Sequence, residues 1–143
     1  MTSLSKDLIR LLSDKQVLSQ PEDLMAYASD ATHYYARRIP DAVVLPADTE
    51  DVARVMKYAF AQNIPVTPRG AGSGLAGGCT PLKGGIVMDM KRMDHLIEID
   101  RDNLTAEVEA GLVLRQFTRT VEKQGLFYPP DPQSMSVCTL GGN

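Results

Sequence analysis

Glycine is absent from the first 69 residues and then becomes dense: Gly70, Gly72, Gly74, Gly77 and Gly78 fall within nine positions, with Gly84 and Gly85 close behind. Glycine enters left-handed and other strained backbone regions at no steric cost, and it lets the main chain approach a ligand closely. The same window is free of acids. Between Asp51 and Asp89 lie 37 residues carrying Arg54, Lys57, Arg69 and Lys83 but no Asp or Glu. Flexible linkers are usually Ser/Gly-rich and polar, whereas apolar strand-like runs bracket this window, IPVT before it and GIVMDM after it. The segment therefore reads as an ordered loop rather than a tether.

The surrounding chain is ordinary by comparison. Its 143 residues suit one domain, or one and a fraction, with enough length to bury a real core. Eighteen acids against fifteen Lys and Arg leave a net charge of −3, the wrong sign for coating nucleic acid. No apolar run approaches the ~18–20 residues of a membrane span. The N-terminal MTSLSKDLIRLLSDK is charged and amphipathic, without a signal peptide's apolar segment. Cys79 and Cys138 form neither a disulfide framework nor a zinc pattern, and they read as reduced thiols in a cytoplasmic protein.

Periodicity predicts an amphipathic helix over 3–12 and a second, opened by Pro21, over 21–30. Residues 42–45 (AVVL) predict a buried strand. Asp48 or Thr49 then caps a helix whose buried face is expected at Val52, Val55, Met56, Ala59 and Phe60. Strands follow at 64–67 and 86–90, on either side of the glycine loop. Strand–helix–strand alternation of this kind favours parallel pairing. Beyond Met93 the pattern changes: LIEID and TAEVEA alternate around Arg101, Asp102 and Asn103 as a hairpin, and a helix runs from about 113 to 124, ended by Gly125. The expected fold is α+β, with a small parallel subdomain over 1–93 and the beginning of an antiparallel one over 94–143.

The glycine segment holds a GxGxxG at Gly72, Gly74 and Gly77. A dinucleotide fingerprint of that form needs a helix to start in the loop, so that its N-terminus meets the pyrophosphate. Here Gly78-Cys79-Thr80-Pro81 follows, and the Walker pattern is absent as well. What remains is a nest: successive backbone N–H groups lining a concave loop. Each hydrogen bond to a charged oxygen contributes roughly 1.5–3 kcal/mol, so four or five amides suffice for a diphosphate, with Arg69 adding a favourable field. A second constellation, YPPDPQSMSVCTLGGN over 128–143, is rich in prolines, hydroxyls and glycines. It reads either as a ligand-contacting segment or as an ordinary surface loop. Its Gly-Gly-Asn end lacks a cap and looks cut within a motif.

PRGAGSGLAGG followed by PPDPQSxxxxTLGGN, with AVVLPADTEDVARVMKYAFAQNIPVTPRG before them, resembles the PCMH-type FAD-binding domain of the vanillyl-alcohol-oxidase superfamily. The likeness is greatest to the branch of glycolate oxidase catalytic subunits and D-lactate dehydrogenases, and it covers nearly the whole chain. It implies FAD as ligand. By motif position it places Arg69, Gly70, Ala71, Gly72, Ser73, Gly74 and Leu75 around the diphosphate, with Gly77 and Gly78 closing the loop. Pro130, Asp131, Ser134, Thr139, Gly142 and Asn143 match the stretch along the flavin and its ribityl chain. The loop has no histidine of the kind that tethers flavin in some relatives, so non-covalent FAD is expected.

Intact members oxidise 2-hydroxy acids and pass the electrons to another acceptor or partner subunit. The resemblance also implies that the substrate domain, with its catalytic histidine, lies beyond Asn143. A chain lacking it is expected to expose apolar surface and to self-associate. Two other functions fit the same motifs: a non-catalytic nucleotide-binding fragment, and a different FAD enzyme such as a peptidoglycan-precursor reductase. Neither local histidine is assigned catalysis. His33 reads as an exposed or packing residue in ATHYYARR, and His95 as structural at the start of a strand. Asp131, between two prolines, reads as shaping its loop.

Overall fold

Strand order, more than strand count, sets where a site can form. The computed structural model describes residues 2–143 apart from His33 and Ala36, so the expectation for His33 lies outside the described residues. Four strands, β1 (Val17–Leu18), β2 (Ala42–Val44), β3 (Val66–Arg69) and β4 (Ile86–Asp89), make one sheet in the order β1-β2-β4-β3. β4 runs parallel to both β2 and β3, while β1 pairs antiparallel with β2. β3 is an edge strand, which is why it tolerates Pro68: its other side has no ladder to break.

Side chains alternate across this sheet with period two. Ala42, Val44, Ile86 and Met88 face one way and pack with Leu8 of α1 (Ser3–Leu11) and Val55 and Ala59 of α3 (Thr49–Ala61). Val43 and Val87 face the other way and meet Leu24 of α2 (Pro21–Met25) and Tyr27. The second unit is a two-stranded antiparallel hairpin, β5 (Leu96–Asp100) and β6 (Thr105–Val108), covered by α4 (Leu114–Glu122). Leu112, Phe117 and Val121 form its core, and Phe117 meets Tyr128 edge to face with centroids 5.1 Å apart. The architecture is the expected α+β arrangement, a parallel unit followed by an antiparallel one.

Three local expectations need correction. The buried face of α3 is rotated: Val55 and Ala59 are buried, whereas Met56 is 46% and Phe60 88% exposed. α1 docks on the side that also presents Tyr58, whose hydroxyl donates to Asp7 Oδ2 at 3.0 Å, and leaves the Met56–Phe60 stripe uncovered. β3 begins at Val66, not 64, because the chain first closes α3. Asn63 takes a left-handed conformation (φ 52°) and the Ile64 amide donates to the Ala59 carbonyl. Helix α2 spans half its predicted length. Its last turn tightens through Tyr27 N to Leu24 O and Ala28 N to Met25 O, and the chain then leaves toward the glycine loop.

The turn into α3 carries the most concentrated polar network of the parallel unit. Asp48 caps the helix by accepting from the Asp51 amide at 2.8 Å. Asp51, itself buried, accepts from Ala47 N at 2.9 Å and Gln16 Nε2 at 2.5 Å and also contacts the Arg54 guanidinium. Burial works to raise its pKa, but these donors outweigh it and hold the carboxyl below its ordinary value. Asp51→Ala leaves these donors unpaired, so it should cost about 2 kcal/mol in denaturant unfolding. Because the folded-state pKa is depressed, this stabilisation is present above the unfolded value near ~3.9 and is lost as pH falls through the folded one. The gap between wild type and Asp51→Ala should therefore narrow below about pH 4.

Candidate binding cleft

The parallel neighbours β3 and β4 are joined by residues 70–85, which contain no helix. The chain leaves the carboxyl end of β3 at Arg69, loops outward, and returns to the amino end of β4, where Ile86 N donates to Pro65 O. Gly85 sits so close there that a Cβ would collide with the Pro65 carbonyl. This loop meets the C-terminal segment 138–142, which is stitched to 110–114 by Leu114 N to Cys138 O, Leu140 N to Leu112 O and Gly141 N to Ala110 O. A cleft of about 280 Å³ lies between the two segments, at the carboxyl ends of β3 and β4.

Arg69, Gly70, Ala71, Gly72, Ser73, Gly74 and Gly78 line this cleft together with Thr139 and Gly142, so most of both sequence constellations converge. Leu75 and Gly77 belong to the loop but not to the wall; Leu75 is 73% exposed, and Gly77 packs under the Tyr35 ring. Pro130, Asp131, Ser134 and Asn143 also lie outside it. Ser134 closes a turn, its carbonyl accepting from Val137 N and Cys138 N. Asp30, Cys79, Met90, Ala110, Cys138 and Gly141 also line it. Asp30 could not have been found from the motifs, since it comes from a segment forty residues upstream.

Two features of the wall point to an anionic guest. The first is the run of amides from Ala71 to Gly78, all but Leu75 and Gly77 belonging to residues of the wall. Among the described residues, none of them donates a hydrogen bond to any backbone or side-chain acceptor. Backbone donors are obligatory hydrogen-bonding groups, so this run is left to solvent or to a ligand. Gly72 (φ 70°) and Gly77 (φ 78°) make the shape possible by taking left-handed conformations. The second feature is the Thr139 hydroxyl, which is buried with no hydrogen-bond partner among the described residues. The loop crosses directly over it, since a Cβ on Gly70 would strike that oxygen.

The family models match the description "FAD binding domain" over residues 40–143. The chain belongs to the PCMH-type FAD-binding domain family. Among curated proteins, this FAD-binding domain is 44% identical over 119 residues to "Glycolate oxidase subunit GlcD" of Bacillus subtilis (strain 168), covering 83% of this chain and 25% of that protein. It is 35% identical over 132 residues to "D-lactate dehydrogenase" of Anaerostipes hadrus, covering 92% and 28%. The chain thus spans about a quarter of the length of these relatives. Among solved structures, an alkyldihydroxyacetonephosphate synthase superposes over 96% of this chain and 30% of its own, with a TM-score of 0.82 at 25% identity. p-Cresol methylhydroxylase matches over 88% and 26%, with a TM-score of 0.73 at 25% identity. No helix among the described residues is long and apolar enough to cross a membrane.

The cleft fits FAD on its own chemistry, because an amide run without acceptors and an orphaned hydroxyl suit a diphosphate. The Cys79 thiol is not a competing anion. Burial raises the Cys79 pKa, Arg69 opposes this, and Asp30 adds to it. With the thiolate disfavoured, Cys79 should alkylate with iodoacetamide more slowly at pH 8 than free cysteine does. Its rate should climb with pH beyond the ordinary thiol range. Asp30→Ala, which removes one of the raising influences, should speed the reaction.

Proposed function

We propose that the loop 71–78 binds the diphosphate of FAD through the amides of its cleft-lining residues, that Thr139 donates or accepts one further hydrogen bond, and that the flavin is held non-covalently. The observation that carries this reading is an amide run without acceptors in the same cleft as the buried, unpartnered Thr139 hydroxyl. Arg69 supplies positive charge beside the loop, opposed in part by the Asp30 side chain that also lines the cleft. Gly70, Ala71, Ser73, Gly74 and Gly142 shape the wall. Leu75 and Gly77 hold the loop's outer side, and Pro130, Asp131, Ser134 and Asn143 are assigned to the flavin and ribityl side of the same ligand, outside the cleft. A loop without histidine and a Cys79 thiol whose pKa is raised support the non-covalent reading. Residues 1–93 and 94–143 are read as the two subdomains that meet across the cofactor. The reduced thiols support a cytoplasmic setting.

The whole protein is read as an oxidoreductase acting on a 2-hydroxy acid of the glycolate or D-lactate kind, with electrons leaving to a further acceptor or partner subunit. Bound FAD supplies the two-electron acceptor for oxidation of the hydroxy acid to the 2-oxo acid. The described residues bind and orient the cofactor; none is assigned a proton-transfer role. His95 instead pairs with Glu109 at 2.7 Å on the surface of the hairpin.

Thr139→Val separates ligand binding from folding. It removes the orphaned hydroxyl with little change of shape, so thermal stability should hold or rise while FAD affinity falls about tenfold in a flavin fluorescence titration. Gly72→Val resists the left-handed conformation and drives its Cβ into the Arg69 guanidinium. It should abolish FAD retention and leave the sheet's core intact. Reduction of a redox dye by glycolate or D-lactate tests the activity. The activity belongs to the whole protein, so the test uses the full-length parent. A parent that binds FAD yet reduces no dye with either acid would remove the glycolate or D-lactate assignment, whereas residues 1–143 alone are expected to be inactive.

A further inference from the structure

Beside the cleft, under the first residues of the glycine loop, a second hollow of about 300 Å³ brings together Tyr27, Arg69, Asp89 and Lys91. Tyr27 precedes the matched family segment, which begins at residue 40. Its hydroxyl donates to Asp89 Oδ2 at 2.7 Å and accepts from Lys91 Nζ at 3.2 Å, and Lys91 pairs with Asp89 at 3.3 Å. The ring is buried against Leu24, Val43 and Val87. Its phenol therefore cannot turn without breaking both a hydrogen bond and the core packing.

The Arg69 guanidinium lies over this fixed ring, 5.3 Å from its centroid, while its Nη1 donates to the Ser29 carbonyl at 2.9 Å. The same guanidinium lies where a Cβ on Gly72 would be, so the loop rests directly on it. The series runs from the β4 end (Asp89) through the Tyr27 ring and the Arg69 plane to the Gly72 backbone. We propose that Tyr27 is a positioning residue for the cofactor: its aromatic face holds the Arg69 guanidinium beneath the loop and so sets the amide run in its binding shape. Asp30 works alongside it, its amide donating to Thr80 Oγ1 at 3.3 Å at the far side of the loop.

This rests on the assignment of residues 71–78 to the FAD diphosphate. The test compares Tyr27→Phe, which keeps the aromatic face, with Tyr27→Leu, which keeps apolar bulk only. Two readouts are needed: the FAD dissociation constant by flavin fluorescence, and hydrogen exchange of amides 71–78 in the FAD-free protein. Tyr27→Phe should stay within about threefold of wild type. Tyr27→Leu should bind FAD about tenfold more weakly and exchange those amides faster. Arg69→Lys retains charge but loses the guanidinium that spans the Tyr27 ring, the Ser29 carbonyl and Gly72, so it should reproduce the Leu phenotype even if Tyr27→Leu folds poorly. Because the two residues act through one contact, the double variant should lose no more than the worse single one. Equal FAD affinity and equal exchange in the Phe and Leu variants, or fully additive losses, would overturn the proposal. If Gly72→Val still abolishes FAD binding under those results, the brace fails and the diphosphate assignment stands. If Gly72→Val binds FAD normally, that assignment fails, and the exchange data alone decide whether Tyr27 positions the loop.

Discussion

Two adjacent parallel strands joined without a helix impose the constraint on which this structure turns. The connection between β3 and β4 must travel from the carboxyl end of one strand to the amino end of the other, and ordinarily a helix does this while satisfying its own backbone. Here residues 70–85 make the passage as open chain, so their amides are not consumed by an i to i−4 ladder. The absence of a helix deprives the site of a macrodipole, but it leaves a run of donors free to converge on one guest. Glycine at positions 72 and 77 is what allows the backbone to take that path.

An open loop of this length does not hold its shape by itself. Ordering it is opposed by backbone entropy of roughly 1–2 kcal/mol per residue. The loop is propped from three directions. Arg69 supports Gly72, Tyr35 covers Gly77, and the C-terminal segment brings Thr139 beneath Gly70. That segment is in turn held against 110–114, whose Gly111 approaches the Met90 carbonyl so closely that no side chain fits. The parallel and antiparallel units are thus joined at the same place where the ligand site forms. The larger apolar groove of about 680 Å³, between the hairpin and residues 125–128, adjoins the cleft at Ala110 and Gly141 but is lined by no charged residue and by none of the 71–78 loop.

Much of this was legible in the amino-acid sequence. The short apolar runs at 42–45 and 86–90, the cap at Asp48, the hairpin around 101–103 and the stop at Gly125 all act through local chemistry that neighbours in the chain reveal. Both halves of the cleft also announced themselves, one by glycine density and the other by the Thr139 and Gly142 segment. Other features depended on tertiary docking. Met56 and Phe60 fit a helical stripe as well as Val55 and Ala59 do, and only the position of α1 decides which stripe is covered. Strand β1 is two residues long and gives no periodic signal. The bracing role of Tyr27, Ser29 and Asp30 was invisible for a similar reason: nothing local distinguishes a tyrosine that holds a distant arginine from one that fills a core.

The most direct measurement of the central claim is a residue-resolved amide NMR titration of the protein with FAD. Binding through the loop predicts that the largest shifts fall on residues 71–78 and on Thr139, while the hairpin amides of 96–108 remain near their free positions. Shifts confined to the apolar groove at the hairpin, with the 71–78 amides unmoved at saturating FAD, would contradict it.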